Sequence, residues 1–539
     1  MKRWNGWGKE ATIYPLGESA ITYLRERLGD GTTIPDASLE DVIAAVPQTR
    51  LPKHPWLITD PVVRLQHSRG QSLPDWIALR SGRIDCFTDG VVYPSSNYEV
   101  RDLFEKAKAW GAVIIPYGGG TSVVGHVNPL PGDRPVVTLD MQQFNGLLDL
   151  DEESLLARIG AGITGPELER ELAKHGYLLG HFPQSFEYST LGGWVATRSS
   201  GQQSYYYGRI EELVAGAHLE MPSGSLDIPP TPASAAGPDL RHVVLGSEGR
   251  LGIITDVVVR IRPLPQVESF YGAFFRDWNS GLKAVKYLAQ AKVPVSMIRL
   301  SDPVETETTL ALAGRERVMT WADRGLRLLR YGPGRCLMMF GITGESEFSS
   351  AVLRRTISVI RRNGGLYTGR TIGSTWQKGR FLTPYLRNTL WDLGYAIDTL
   401  ETAMPWSRVN RTRSAIIEAL SSPEEKDGQK VLVFSHISHV YGDGASIYIT
   451  FLFPRSVDPD ETLESWRYMK REASEAIVDH QGTISHQHGV GLDHLPYMAK
   501  EKGLVGLEML KRIQRYADPD QIMNPGKLLP DDSENIIVT

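Results

Sequence analysis

Two histidines of one short segment and one tyrosine of an alternating strand are the residues best suited to move protons. His486 and His488 stand two positions apart, so both side chains share one face if the segment is extended. Tyr448 belongs to the alternating run 447–453, where it shares a face with Thr450 while the opposite face is apolar. Imidazole and phenol groups serve as general acids and bases. A tyrosine in such a strand is also typical of a satisfied core residue, and the pattern alone leaves both interpretations open.

A second histidine pair, His436 and His439, raises the question of a metal site. Zinc sites combine histidine, cysteine and carboxylate ligands at characteristic spacings. Neither histidine pair has a cysteine or an acidic residue at such a spacing, and Cys86 and Cys336 lie far apart. The sequence therefore predicts no metal ligand and no disulfide.

A third candidate is the run Gly-Gly-Gly-Thr-Ser at residues 118–122, which follows the apolar stretch 112–115. Consecutive glycines let backbone N–H groups converge on an anion, because no Cβ blocks close approach. The run has neither the GxGxxG spacing of a Rossmann site nor the Gly-Lys-Ser/Thr of a Walker loop. By itself it is also typical of a flexible turn.

Helix and strand signals alternate around this run. Ser95 or Ser96 can cap a helix whose apolar positions lie on one face, and Gly111 ends it. A further helix begins at Thr164-Gly165-Pro166, with proline in its first turn. The predicted strands around them are residues 112–115, 136–139, 155–159 and 253–261.

Composition and charge exclude several classes of protein. The chain has 539 residues with 41% hydrophobic and 22% charged residues, which predicts two or three globular domains. A net charge of −5 provides no basic field for nucleic acid or for an anionic bilayer. The first residues lack the apolar stretch of a secretory signal. We expect a cytoplasmic protein without nucleic-acid partners.

Four segments in order resemble the PCMH-type FAD-binding domain of the vanillyl-alcohol-oxidase group: residues 116–122, 183–193, 197–201 and 246–254. The resemblance implies an α+β protein with a two-subdomain FAD-binding domain and an α+β cap domain built on an antiparallel sheet. The implied divisions are an N-terminal extension at 1–84, the FAD domain at 85–266, the cap or substrate domain at 267–500, and a segment at 501–539 that returns to the FAD domain.

The same resemblance implies which residues bind the cofactor. Thr121 stands where some relatives carry a histidine linked to the flavin, so non-covalent FAD is expected. The implied cofactor-binding residues are Pro116, Tyr117, Gly118, Gly119, Gly120, Thr121, Ser122, Gln184, Ser185, Ser189, Thr190, Gly193, Thr197, Arg198, Ser200, Glu248, Gly252, Ile253 and Ile254.

Within this group the chain most resembles the alkylglycerone-phosphate synthase (alkyl-dihydroxyacetonephosphate synthase) family. The matching segments include residues 3–8, 162–170 and 180–181. The resemblance implies that Tyr448 transfers a proton beside flavin N5, with His486 and His488 lining the same site. It also implies that Arg387 holds the substrate phosphate, and that Arg299 and His181 contact the substrate.

The implied reaction exchanges the acyl chain of acyl-dihydroxyacetone phosphate for a long-chain alcohol through a flavin N5 adduct, a step of ether-lipid biosynthesis. Small-molecule lipid substrates, a homodimer and loose contact with a membrane surface follow from the same resemblance. The alternative is an FAD-linked oxidase or dehydrogenase of a D-2-hydroxy acid or an alcohol. A third hypothesis is a flavin-binding protein without catalysis, in which the tyrosine, the histidines and the arginines would share no purpose.

Three positions argue against a metal-assisted hydroxyacid dehydrogenase. The metal ligands of such enzymes would fall on Val440, Ile447 and Gln487, none of which suits that role. Two departures from the synthase family leave the exact substrate open. Gln487 replaces the middle histidine of a run of three, and residues 518–527 look more like the ending of FAD-linked dehydrogenases.

Overall fold

The computed structural model describes residues 2–312 and 323–530. The parts of the predicted divisions that fall on residue 1, on 313–322 and on 531–539 lie outside the described residues. None of the helices in the described ranges is long and apolar enough to cross a lipid bilayer.

The region before residue 85 contains four helices that the sequence analysis did not predict. They are α1 (Glu18–Leu28), α2 (Leu39–Ala44), α3 (Pro61–Gln66) and α4 (Leu73–Ser81). Ser72 and Asp75 form a capping box at the start of α4. Helix α4 is buried on most of its sides, with Leu73 and Trp76 both fully covered. A helix that is buried on most sides shows no single apolar stripe, and for this reason the sequence pattern did not predict it.

The next part of the chain holds two sheets. The first is parallel, in the order β1 (Gly90–Val92), β3 (Val136–Asp140), β2 (Val113–Tyr117). The second is antiparallel, in the order β4 (Leu147–Asp151), β5 (Leu156–Gly160), β9 (Ile253–Arg260), β7 (Val214–Met221), β8 (Gly224–Ile228). A two-stranded pair joins β6 (Tyr177–Leu178) to β10 (Arg262–Pro263).

Local signals placed the two predicted helices of this part correctly, whereas its four shorter helices were not predicted. Helix α5 (Asn97–Trp110) begins with the Ser96 hydroxyl accepting from Glu99 N–H, and it ends at Gly111 in the left-handed conformation, φ 62°. Thr164 and Glu167 form a capping box at the start of the next helix. The remaining helices of this part are α6 (Gly165–Ala173), α7 (Leu191–Thr197), α8 (Ser204–Tyr207), α9 (Ile210–Leu213) and α10 (Arg241–Val244).

The cap is built on one antiparallel sheet of seven strands. Their order is β14 (Leu366–Gly369), β11 (Val267–Phe275), β13 (Cys336–Gly344), β12 (Met297–Ser301), β16 (Leu432–Val440), β17 (Gly444–Pro454), β15 (Tyr395–Pro405). Strand β17 contains the predicted run 447–453, and its apolar face is fully buried in the main core. Because the faces of β17 alternate, Tyr448 and Thr450 are left on the polar side of the sheet.

Helices cover the apolar side of this sheet and connect its strands. The described helices of this part are α11 (Trp278–Gln290), α12 (Pro303–Leu312), α13 (Ser346–Arg362), α14 (Thr371–Gly379), α15 (Thr383–Asp392), α16 (Val409–Asp427) and α17 (Pro459–Asp479). After helix α18 (Met498–Ala517) the chain returns to the parallel sheet. Ile114 N–H donates to Ile522 O at 2.7 Å, and Asn524 N–H donates to Ile114 O at 2.8 Å.

Candidate active site

The glycine loop after β2 packs against the loop that begins helix α7. A Cβ on Gly118 would lie 2.3 Å from Thr190 Oγ1, and one on Gly119 would lie 1.7 Å from Tyr188 O. Thr190 in turn accepts from Gly193 N–H and caps α7. Glycine is therefore required here because two loop backbones approach too closely for any side chain.

The glycine loop keeps its own donors free. Among the described residues, none accepts a hydrogen bond from the backbone N–H groups of residues 118–122. Nearby, the buried His181 donates to or accepts from Ser199 Oγ at 2.7 Å through Nε2, while its Nδ1 has no partner in the described part of the chain. A group of unused N–H donors in a loop that begins with three residues lacking a Cβ fits the pyrophosphate of FAD.

A chain of polar contacts joins the glycine loop to the histidine segment. Ser122 Oγ lies 2.8 Å from His126 Nδ1, and His126 Nε2 lies 3.1 Å from Glu248 Oε2. The Glu248 carboxylate accepts from Val490 N–H at 2.6 Å and from Gly491 N–H at 2.8 Å. The part of the chain that contains the glycine loop and Glu248, the cofactor half, thus holds one end of the segment that carries His486 and His488.

Tyr448 occupies the centre of the polar face of the cap sheet. Its strand neighbours in register are His436 on β16 and Glu401 on β15, and cross-strand partners point to the same face. The phenol ring stacks on His436 with centroids 5.0 Å apart and meets His488 edge-on at 5.8 Å. Burial raises the pKa of Tyr448 to about 12, so the phenol keeps its proton at neutral pH.

His436 is held by a carboxylate that an arginine also contacts. Glu305 Oε1 lies 2.8 Å from His436 Nδ1 and accepts from Arg299 Nη2 at 2.7 Å. Burial alone would raise the pKa of the Glu305 carboxyl, but Arg299 and His436 hold it below its usual range. The predicted substrate arginine, Arg299, therefore lies beside the Tyr448 stack as part of an ion pair.

Arg387 of helix α15 is fixed next to the glycine loop. Its Nη1 donates to Gln71 O, and Gln71 N–H donates to Ser122 O at 2.6 Å. The guanidinium lies over the Trp76 ring at 4.4 Å, and its buried Nη2 has no partner among the described residues. Burial lowers the pKa of this guanidinium, and Tyr448 lies near enough for its ionised form to raise that pKa. A buried guanidinium with a free N–H edge is suited to an oxyanion.

His486 has both ring nitrogens beside charged side chains. Arg209 Nη1 lies 2.7 Å from Nε2, and Glu401 Oε1 lies 3.2 Å from Nδ1. Burial alone would raise the pKa of Glu401, but the nearby histidines, His486 first, hold it well below its usual range. Ligand atoms of Glu401, His439 and His486 lie within 4.8 Å of one another, the one group of three or more histidine, cysteine or acidic residues so arranged in the described ranges.

His488 differs from His486 although only one residue separates them. It is half-buried, and no hydrogen bond to its ring is found among the described residues. Burial lowers the pKa of His488 to about 4, so the imidazole is neutral at physiological pH. A neutral imidazole that faces the Tyr448 phenol is placed to exchange a proton with it or with a bound substrate.

Comparisons with known proteins agree with this site. Residues 88–227 match the family described as FAD binding domain, and residues 264–528 match that described as FAD linked oxidases, C-terminal domain. The chain is 33% identical to alkyldihydroxyacetonephosphate synthase of Dictyostelium discoideum over 478 residues, covering 87% of this chain and 78% of the relative. The chain belongs to the alkyldihydroxyacetonephosphate synthase family.

Two further members extend the likeness over nearly the whole chain. Alkyldihydroxyacetonephosphate synthase of Caenorhabditis elegans is 29% identical, with 98% of this chain and 95% of the relative covered. A solved alkyldihydroxyacetonephosphate synthase structure aligns with a TM-score of 0.83 at 28% identity, over 98% of this chain and 99% of the other. The predicted α+β fold and the FAD cofactor are confirmed.

Several of the predicted cofactor residues use their side chains for hydrogen bonds within the protein. Gln184 Nε2 donates to Arg380 O at 2.7 Å, and Thr197 Oγ1 donates to Gly193 O at 2.9 Å. Ser200 Oγ lies 3.2 Å from His439 Nδ1, across the junction with the cap. Such residues can reach FAD through their backbone, and their assignment as cofactor ligands stays a prediction.

Three charged residues of this synthase-family site were not found from the sequence. Glu401 lies on β15, Arg209 precedes α9, and Glu305 lies on α12, all far along the chain from Tyr448. The only signal for Glu401 was its acidic type, shared with Asp398, within the strand 395–405. The partner strand could not be read from spacing. Tertiary structure alone puts these charges beside the histidines.

Proposed function

We propose that this chain catalyses the exchange of the acyl chain of acyl-dihydroxyacetone phosphate for a long-chain alcohol. The reaction releases a fatty acid and leaves an ether bond. The observation that carries the proposal is the buried Nη2 of Arg387 beside the glycine loop, which has no partner among the described residues. Tyr448 lies near enough for its ionised form to act on the pKa of that guanidinium. A phosphate at Arg387 would bring the adjoining carbon of the substrate towards the Tyr448 phenol.

Each side chain has a defined task in this proposal. FAD supplies an electron-accepting ring at the substrate carbon. Arg387 binds the phosphate, which charge-assisted hydrogen bonds stabilise by about 1.5–3 kcal/mol each. Tyr448 moves the proton at the first carbon, and His488 exchanges that proton with the phenol. The ion pair of Arg299 with Glu305 fixes His436 under the phenol ring.

The residues at the metal positions of hydroxyacid dehydrogenases support a synthase over a metal-assisted oxidoreductase. Val440 is 3% exposed and Ile447 is fully buried, both in the apolar core of the cap. The Gln487 amide donates to Glu401 Oε2. An assay of this protein must therefore distinguish ether formation from the oxidation of a hydroxy acid.

The test mixes the FAD-loaded protein without oxygen with acyl-dihydroxyacetone phosphate and hexadecanol, and separately with D-lactate. We expect an ether product and free fatty acid, with no lasting loss of flavin absorbance. Lasting bleaching by D-lactate with no ether formed would overturn the proposal in favour of an FAD-linked dehydrogenase.

Two variants assign the roles. Tyr448→Phe keeps the ring and removes the hydroxyl, and we expect ether formation to fall by about 10²–10⁴-fold, the usual range for lost acid–base catalysis. Arg387→Met should mainly raise the KM for the phosphate substrate. Both variants should retain FAD absorbance, and Tyr367→Phe, a cap tyrosine in the aromatic group with Tyr271 and Phe340, is the matched control.

We also propose a cytoplasmic homodimer that takes its lipid substrates from a membrane surface by loose contact. Exposed apolar side chains on helix α18 support the membrane contact, namely Leu504, Val505 and Met509. The homodimer rests on the family resemblance. Sedimentation with and without phosphatidylcholine vesicles tests the membrane contact, and light scattering gives the oligomeric state.

A further inference from the structure

The segment that carries His486 and His488 is bound on one side by the cationic Arg209 and on the other by the anionic Glu401. From the cofactor half, Arg209 Nη2 donates to His486 O at 2.9 Å while Nη1 meets His486 Nε2. From the cap sheet, Glu401 O accepts from His486 N–H at 3.2 Å, and the Glu401 carboxylate accepts from the Gln487 amide. Both the backbone and the side chains of the segment are therefore held.

The hydrogen-bonding groups around the His486 ring determine which of its nitrogens carries the proton. A guanidinium has only donors, so His486 Nε2 must accept from Arg209. Tyr441, whose hydroxyl lies 2.6 Å from the same nitrogen and accepts from Arg209 Nη1, is a second donor that competes for the one lone pair of Nε2. The single ring proton of a neutral His486 then sits on Nδ1, the nitrogen that faces the Glu401 carboxylate.

These donors also disfavour a metal ion in the group formed by Glu401, His439 and His486. A metal on His486 Nδ1 would displace the proton to Nε2, where it would meet an Arg209 N–H. A metal on Nε2 would have to displace Arg209 itself. A fixed guanidinium at this distance also repels a second cation.

We propose that Arg209 and Glu401 are positioning residues of the active site, which fix the Nδ1–H form of His486 and dock residues 485–488 so that His488 faces Tyr448. His486 then acts by holding the segment, because Arg209 and Tyr441 lie against its Nε2 and the Glu401 carboxylate lies 3.2 Å from its Nδ1. Gln487 serves the same purpose, since its amide supplies Glu401 with a neutral donor. The catalytic part of this inference rests on the proposed synthase function, whereas the protonation of His486 does not.

The test uses the FAD-loaded full chain with Arg209→Ala, Arg209→Lys and Glu401→Gln. We expect Arg209→Ala and Glu401→Gln to lower kcat for ether formation by about 10- to 100-fold, the rate equivalent of one charge-assisted hydrogen bond. KM and FAD content should change little. Added millimolar guanidinium should restore part of the Arg209→Ala rate, whereas equal ammonium should not, because only guanidinium reproduces the planar fork.

A second readout is independent of catalysis. The ring ¹⁵N signals of His486, identified by their loss in His486→Gln, should report a protonated Nδ1 and an unprotonated Nε2 in the unsubstituted protein. In Arg209→Ala this form should be lost, and in the surface variant Arg83→Ala, which loses an exposed pair with Asp458 and Asp460, it should persist.

Each outcome decides the proposal. Unchanged kcat and unchanged His486 signals in Arg209→Ala would overturn it, as would stoichiometric Zn²⁺ binding that His486→Gln abolishes. If Arg209→Ala does not fold, Arg209→Lys must show the loss of kcat, since lysine keeps the charge without the fork. If the unsubstituted protein forms no ether, the proposed function fails while the ¹⁵N signals still test the positioning of His486.

Discussion

At the scale of single residues, surroundings rather than residue type decide which group can do chemistry. His486 and His488 belong to the same short motif, yet the ring of His486 is enclosed by Arg209 and Glu401 while that of His488 has no such partners in the described ranges. Tyr448 is kept protonated by burial. The sequence could pair these residues but could not tell the working imidazole from the structural one.

The pH dependence of the reaction follows from the burial of His488. Burial lowers its pKa to about 4, so the imidazole is neutral above that pH and becomes charged as the pH falls through it. We expect kcat/KM to stay level from about pH 7 to about pH 5 and to fall near pH 4, well below the ordinary histidine value of about 6.5. Initial rates across this pH range measure the fall of kcat/KM at low pH, the acid limb, while FAD absorbance is followed in parallel. The His488→Gln variant should lack that limb, and a limb centred near pH 6.5 would contradict the account.

At the scale of elements, the N-terminal strap, defined as residues 2–8, ties helix α15 to the glycine loop. Lys2 Nζ donates to Gly119 O at 3.2 Å. The Asn388 side chain accepts from Trp7 N–H at 3.1 Å and donates to Trp7 O at 3.0 Å. Gly8, at φ 74°, passes so close to Tyr385 that a Cβ would overlap its ring. Because Arg387 adjoins Asn388, the strap helps to set where the guanidinium lies that we propose binds the phosphate.

Loss of the paired contacts at Asn388 should therefore loosen substrate binding. We expect Asn388→Ala to raise the KM for the phosphate substrate by up to about 30-fold, since two net hydrogen bonds of about 1 kcal/mol each are removed. Steady-state kinetics measure this effect, and kcat should change less than KM. Asn410→Ala, which removes a surface bond to Trp278, is the matched control. A KM equal to that of the unsubstituted protein would show that the strap does not position Arg387.

At the scale of the whole molecule, the cofactor half and the cap meet through polar contacts that converge on the flavin site. Ser204 Oγ lies 2.9 Å from His439 Nδ1, and Glu248 receives two backbone N–H groups of the histidine segment. The loop at 118–122 has unused donors at this junction. Bound FAD therefore adds contacts to both halves and should stabilise the native state of the whole chain.

Removal of FAD should lower the melting temperature. A ligand at about 100 times its Kd adds about 2.7 kcal/mol of stability, which corresponds to a few degrees for a chain of this size. Calorimetry of the holoprotein, the apoprotein and the reconstituted protein measures the shift. Riboflavin, which lacks the pyrophosphate, should restore less of it than FAD. Equal recovery with riboflavin would show that the 118–122 loop does not bind the pyrophosphate.

Local signals predicted those parts of the fold that local physics controls. The cap at Ser96 and the left-handed Gly111 fixed both ends of α5, and the alternation of 447–453 fixed the two faces of β17. The four N-terminal helices were not predicted, because α4 is buried on several sides and the others are short or have a weak apolar pattern. The antiparallel cap sheet came from family resemblance, since its strand order joins segments far apart in sequence.

The sequence by itself determined the flavin loop, the alternation that exposes Tyr448 on a polar face, and the family to which the chain belongs. These features depend on residues close together in the chain, where glycine geometry and side-chain periodicity act directly. Only the tertiary structure decided that Glu401 and His436 flank Tyr448, and that Arg209 encloses His486. Those contacts depend on strand register and on the docking of two domains, which arise from the packing of the whole core and leave no local pattern in the sequence.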